Sequence, residues 1–167
     1  MGLLDGKKAA IFGVANDRSI AWAISEALHV EGAELAFTFA GEILEKRVRP
    51  LAEGIGAKII LPCDVTKDDE IEKVFATLKQ EWGGLDIMIH AIAFARKEDL
   101  ANPYVQTSRH GFHLAMDVSA YSMVALARPA APLHQRRRVA RQRNHRVRAH
   151  VHCQVKAVPA GLNVWVG

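Results

Sequence analysis

A chain of 167 residues can bury one real core, and the length suggests a single domain rather than two. Half of it is hydrophobic, which excludes disorder throughout; no run of about twenty apolar residues occurs, and Met1 to Ala10 lacks the basic start and apolar stretch of a secretory signal, so a cytoplasmic protein is expected. The net charge of +4 conceals a division: residues 1–133 hold 14 Lys/Arg and all 18 Asp/Glu, net −4, whereas residues 134–167 hold 8 Lys/Arg and no acid, net +8.

"KKAAIFGVA" is a short apolar run ending in Gly13, the pattern of a buried parallel strand that leaves its sheet at a glycine. From Ser19 the pattern changes to Ile20, Ile24 and Leu28, with Ala23 and Ala27 beside them. This is one face of a helix running to about Glu31, with Gly32 as its stop. "AELAFTF" reads as a second strand, "EILEKRVRPLAEGIG" as a helix that Pro50 bends or interrupts, and "AKIILPCDV" as a third strand. Thr66 is positioned to cap the next helix, whose inward stripe is Ile71, Val74, Phe75 and Leu78, closed by Trp82. "LDIMIHAIAFA" is a fourth strand. After a polar loop, a helix from about Arg109 to Ala127 carries Phe112, Met116, Ala120 and Val124 at helical spacing.

Strands alternating with helices imply right-handed βαβ units and a doubly wound parallel sheet, an α/β class. No internal repeat appears before residue 134, and beyond it the periodicity ends. The expected organisation is a domain over 1–133, truncated after about four strands, followed by an irregular basic tail over 134–167 that is not part of the native fold. A sheet ending there leaves the outer edge of the fourth strand unpaired and prone to aggregation.

Ligands of such sheets bind beyond the carboxyl ends of the strands. The first turn there, "GVANDRSIA", is not G-x-G-x-x-G, yet it offers a glycine for close backbone approach, a helix start that favours anions, and the Ser19 hydroxyl. A glycine ending a strand also serves as a plain turn residue. Asp64, in "CDV", can accept from an adenine amino group or simply cap a strand end. The small residues of "HAIAFA" admit a flat ligand or plain core packing. Cys63 and Cys153 are too few for a disulfide framework or a metal cluster, and no metal site is expected.

Together "GVANDRSIAWAI", "GAELAFTF", "PCDV", "HAIAFA" and "SRHGFHLAMDVSAYSMVALA" resemble, in order and spacing, the bacterial NADH-dependent enoyl-acyl-carrier-protein reductases, divergent short-chain dehydrogenase/reductases of fatty-acid synthesis. The likeness covers about residues 1–133. It implies a Rossmann sheet, NAD as cofactor, an enoyl thioester on acyl carrier protein as substrate, and a homo-tetramer. Carried over by position, it implies pyrophosphate-side contacts at Gly13, Ser19 and Ile20, adenine contacts at Asp64 and Val65, a contact near the nicotinamide half at Ile92, and an acyl-substrate contact at Ala95. Where many members place a polar residue near the adenosine ribose, this chain has Ala40 and Gly41. Preference for NADH over NADPH therefore comes from the resemblance alone.

The same resemblance implies a catalytic Tyr with a Lys seven residues later. This chain has only Tyr104 and Tyr121, and seven residues beyond them stand Gly111 and Arg128. No catalytic residue is assigned, and the chain is expected to be an inactive fragment. For "HQRRRVARQRNHRV" two readings compete. An arginine arm would bind nucleic acid by its phosphates, but apart from Trp165 the tail has no aromatics, and His134, His145, His150 and His152 form no convincing metal set. The preferred reading is an altered frame, because consecutive GGC glycine codons read one base out of register become CGG, arginine. A non-catalytic nucleotide-binding protein and a basic-tailed nucleic-acid binder are the alternatives.

Overall fold

The computed structural model describes residues 2–134 and the strand Asn163–Val166. Strands β1 (Lys8–Phe12), β2 (Glu34–Phe39), β3 (Ile59–Pro62) and β4 (Ile87–His90) alternate with helices α1 (Ile20–Val30), α2 (Glu42–Gly54) and α3 (Asp68–Trp82). After β4 come a short helix α4 (Lys97–Ala101), a 3-10 turn (Tyr104–Gln106), α5 (Arg109–Met116), a π-helical turn (Asp117–Tyr121) and α6 (Ser122–Leu133). All pairings are parallel, in the order β3-β2-β1-β4-β5, where β5 is Asn163–Val166.

Side chains of a strand alternate between faces, and the two faces of this sheet carry separate cores. Ala9, Ile11, Leu35 and Phe37 pack under Ala21, Trp22, Val48 and Ala52 of α1 and α2. On the other face Ala10, Phe12, Ala36 and Met88 meet Ile71, Val74, Phe75 and Leu78 of α3, with Leu126, Ala130 and Leu133 of α6. Phe12 stacks on Phe75 at 6.0 Å between ring centroids, and Trp22 tilts against Phe37 at 6.1 Å. The doubly wound parallel sheet expected from the alternation is therefore present, and the α3 stripe is buried as read.

Several local expectations differ. The sheet-facing side of α1 is Ala21, Trp22 and Ser25, with Ile24 and Leu28 half-buried, whereas Ile20 is 65% exposed. Ile20 is the first helical residue, directly after the N-cap Ser19. Pro50 does not break α2: its ring is on the exposed side, and buried Val48 and Ala52 hold the helix to the sheet across the missing hydrogen bond. Thr66 does not cap α3, because its amide and hydroxyl both donate to Asp64 Oδ1, at 3.0 and 2.7 Å. Lys67 occupies the cap without a side-chain bond, and Asp68, Asp69 and Glu70 in the first turn complement the helix dipole instead.

The helix expected over 109–127 is interrupted by the π turn, and then runs to Leu133 through Pro129 and Pro132. Phe112, Met116, Ala120 and Val124 lie on its solvent side, while Ser122, Ala125, Leu126, Ala130 and Leu133 are buried. The one buried residue of α5 is Gly111.

The outer edge of β4, expected to be open, is paired: Ile87, Met88, Ile89 and His90 align with Asn163 to Val166. The run Val-Trp-Val has the β-branched and aromatic composition that favours a strand. The remainder of the basic tail, residues 135–162 and 167, lies outside the described residues, as do the nucleic-acid and altered-frame readings placed on it. Among the described residues no helix is long and apolar enough to cross a membrane, and no group of His, Cys, Asp and Glu could hold a metal ion.

Candidate nucleotide site at the carboxyl ends of the strands

The strand order reverses between β1 and β4, since the chain moves from β1 outward through β2 to β3 and then returns to the other side of β1. That reversal creates a crevice beyond the carboxyl ends of β1 and β4, the usual ligand position in an open α/β sheet. Gly13 stands at its base with φ of 107°. A Cβ there would collide with the carbonyl of Ala91 and the backbone of Ile92. Gly13 and Ile92, both carried over by position from the resemblance, are thus pressed together, and Ala91 N–H donates to the Phe12 carbonyl at 2.8 Å beside them.

From Gly13 the chain turns into α1 through a loop closed on itself. Asn16 Oδ1 accepts from the Arg18 amide at 2.8 Å, and the Ser19 hydroxyl donates to the Asn16 carbonyl at 2.7 Å. Ser19 Oγ then accepts from the Trp22 amide at 3.3 Å, which makes Ser19 the N-cap. The amides of Trp22 and Ala23 both reach the Ser19 carbonyl, so the helix start presents those of Ile20 and Ala21. These are suitable donors to an anion at the positive end of the helix dipole.

At the end of β3, Asp64 is half-buried. Partial burial opposes ionisation, but the donations from Thr66 and the nearby Lys67 ammonium outweigh it and hold the carboxyl below its ordinary value. Thr66 occupies Oδ1, and Lys67 Nζ stays 3.7 Å from Oδ2, leaving Oδ2 with acceptor capacity. The Asp64 amide donates to Glu70 Oε2 at 2.7 Å, fixing the turn. Val65 packs against the α3-side core. The neighbouring Cys63 thiol is pushed up to about 12 by burial and by the Glu70 and Asp64 carboxylates, so it is a packed, unreactive group.

Neighbouring strands lie about 4.8 Å apart, so from β3 to β4 the edge spans roughly 14 Å, the scale of an extended dinucleotide. Asp64 and Val65 stand at one end, Gly13, Ser19 and Ile20 in the middle, and Ile92 at the other. Ala95 follows Ile92 in the loop before α4, half-buried. The end of β2 carries Ala40 and Gly41, with no side-chain cap on α2 and with Glu42 as its first residue. Two clefts lie away from this edge: one of about 340 Å³ at the amino ends of the strands, beside Glu34 and Lys58, and an open one of about 570 Å³ by Tyr104 and Phe112. Neither carries the converging glycine, helix start and strand ends.

Sequence reasoning passed over His90, Ser119 and Ser122. His90 is fully buried with Nε2 2.7 Å from Ser122 Oγ, and burial pushes its imidazole below the ordinary histidine value. The one signal available was a histidine inside an otherwise apolar strand.

A parallel sheet with a switch point over β1 and β4, a glycine turn and an open helix start defines an α/β protein of the Rossmann class. The family profile described as enoyl-(acyl carrier protein) reductase matches residues 13–143. Curated relatives include the NADH enoyl-[acyl-carrier-protein] reductases of Aquifex aeolicus, 51% identical over 133 residues, and of Bacillus cereus, 51% over 132. These alignments cover 80% and 78% of this chain but 49% and 52% of the relatives. The crystal structure of the Aquifex aeolicus reductase superposes with a TM-score of 0.78 at 50% identity, over 81% of this chain and 54% of that one. That of the Anaplasma phagocytophilum reductase in complex with NAD gives 0.75 at 45% identity, over 79% and 50%. The chain belongs to the enoyl-(acyl carrier protein) reductase family, and it spans about half the length of the curated relatives it matches.

Proposed function

We propose that this chain is the cofactor-binding half of an NADH-dependent enoyl-acyl-carrier-protein reductase and binds NADH along the carboxyl edge of β3, β2, β1 and β4. The observation that carries this reading is the Gly13 backbone lying against Ala91 and Ile92 at the switch point, directly before an open helix start. In the proposed arrangement the Ile20 and Ala21 amides hold the pyrophosphate at the helix start that Ser19 caps, Ser19 itself donating both its amide and its hydroxyl to the Asn16 carbonyl; Asp64 Oδ2 accepts from the adenine amino group, and Val65 packs on the ring. Ile92 borders the nicotinamide half, and Ala95 meets the acyl chain.

Bound NADH supplies hydride to the β-carbon of an enoyl thioester. The protein must then stabilise the enolate on the thioester oxygen, the task of a Tyr-Lys pair in the family. Tyr104 and Tyr121 have no such lysine, so the 167-residue chain alone binds cofactor and does not turn over. For the whole enzyme, the substrate is an enoyl thioester on acyl carrier protein, the assembly a homo-tetramer and the compartment the cytoplasm.

Calorimetry tests the reading. The expected result is one NADH bound per chain, more tightly than NADPH, and weakened about fivefold to tenfold by Asp64→Ala, the loss of roughly one hydrogen bond. A folded chain that binds no NADH overturns the cofactor reading, and NADH-dependent reduction of a crotonyl thioester by the pure chain overturns the assignment of no catalytic pair.

A further inference from the structure

The π turn between α5 and α6 faces the segment that leaves β4, and its hydrogen bonds are unusual. The Ser122 amide reaches back to the Asp117 carbonyl, five residues away. In an α-helix that amide would take the Val118 carbonyl. Here the Ser122 hydroxyl takes it instead, at 2.6 Å. Its proton being committed to Val118, Ser122 Oγ can only accept from His90, which fixes the imidazole as the Nε2–H form. Nδ1 is then a bare acceptor with no partner among the described residues.

Three residues earlier in the turn, Ser119 serves both backbone groups of Phe94. Its Oγ accepts from the Phe94 amide at 3.0 Å and its hydroxyl lies 3.4 Å from the Phe94 carbonyl. One helical turn therefore grips the segment 90–94 at both ends, while the Ala91 amide is tied to Phe12. Between these anchors the amides of Ile92 and Ala93 bond to none of residues 2–134.

We propose that the π turn is a clamp and that Ser119 and Ser122 are positioning residues, holding the backbone of Ile92 and Ala93 at the height the nicotinamide half requires. This rests on the cofactor reading above. The π geometry is what makes the clamp: an α-helical turn would hand the Val118 carbonyl to the backbone, free the Ser122 proton, and rotate Ser119 away from its present place. π turns recur at functional sites, and this one acts on a segment that has no strand partner of its own among residues 2–134 beyond Ala91.

The experiment compares the 167-residue wild type with Ser119→Ala and Ser119→Thr, chosen because Ser119 is not in the buried core. Three quantities are read: amide exchange at Phe94 by NMR on isotope-labelled protein, NADH affinity by calorimetry, and the thermal midpoint. Ser119→Ala is expected to speed Phe94 exchange by about tenfold and weaken NADH about fivefold, with exchange in the sheet unchanged. Threonine, which keeps the hydroxyl, is expected to restore both. Wild-type NADH affinity in Ser119→Ala overturns the positioning role alone. So does a loss that threonine leaves unrepaired, or one that tracks a fall in folded fraction. Failure of the wild type itself to bind NADH overturns the cofactor reading and the role resting on it, a result told apart by the wild-type titration.

Discussion

Gly13 concentrates two constraints in a missing methyl group. Its φ of 107° lies where an L side chain is strained, and the space a Cβ would fill is already taken by the Ala91 carbonyl. Gly13→Ala is expected to cost at least about 2 kcal/mol, lowering the thermal midpoint by roughly 4–8 °C for a chain of this size. A calorimetric scan with an unshifted midpoint would show that the turn is not seated on β4. His90 supplies a pH dependence of known sign. Burial holds its folded pKa below the ordinary value near 6.5, so the unfolded chain takes up the proton first as the solution is acidified. Its contribution is intact above about pH 6.5 and is lost as pH falls from there through the folded value. Urea titrations at pH 7.5 and 5.5 should show a larger loss for wild type than for His90→Gln, which retains an amide donor for Ser122; equal losses would mean that His90 does not titrate with unfolding.

At the scale of elements, what could be read from the sequence was what local physics decides. The apolar runs of β1 to β3 and the 3.6-residue stripe of α3 are found where expected, since a buried parallel strand and an amphipathic helix each announce themselves within a dozen residues; β4 ends at His90, short of the run to Ala95 read as its strand. Faces were harder than types. The Ile20-Ile24-Leu28 stripe is apolar, but Ala21 and Trp22 lie against the sheet, because helix orientation is set by docking onto Phe37 and not by the helix alone. Thr66 illustrates a local competition: its hydroxyl has two uses within reach, and the Asp64 carboxylate wins over the helix cap. Of the site, Gly13 and Ser19 were legible because a glycine turn and a helix start are local. The clamp was not, as Ser119 and Phe94 are 25 residues apart and a π turn has no propensity signature. Why this helix should prefer five-residue spacing at Asp117 becomes visible only once the Ser122 hydroxyl and the Val118 carbonyl are seen together.

For the molecule as a whole, two surfaces govern behaviour in solution. The outer side of α5, the π turn and α6 exposes Phe112, Met116, Tyr121 and Val124, and the edge of β4 is covered by four residues of β5. Removing residues 163–167 would uncover a row of unpaired amides and carbonyls on Ile87 to His90, a template for pairing with another chain. Light scattering on that shortened chain is expected to show association that grows with concentration and exceeds that of the parent; identical scattering would mean that β5 does not protect the edge. The strand order has one more consequence. β1 occupies the middle of the sheet, yet it is translated before both strands that flank it, β2 and β4. The nascent protein must therefore keep this buried ribbon idle until a crossover returns β2 to one side, and must wait through two further helices before β4 reaches the other. During biosynthesis that interval is when a holdase chaperone would find its clearest target.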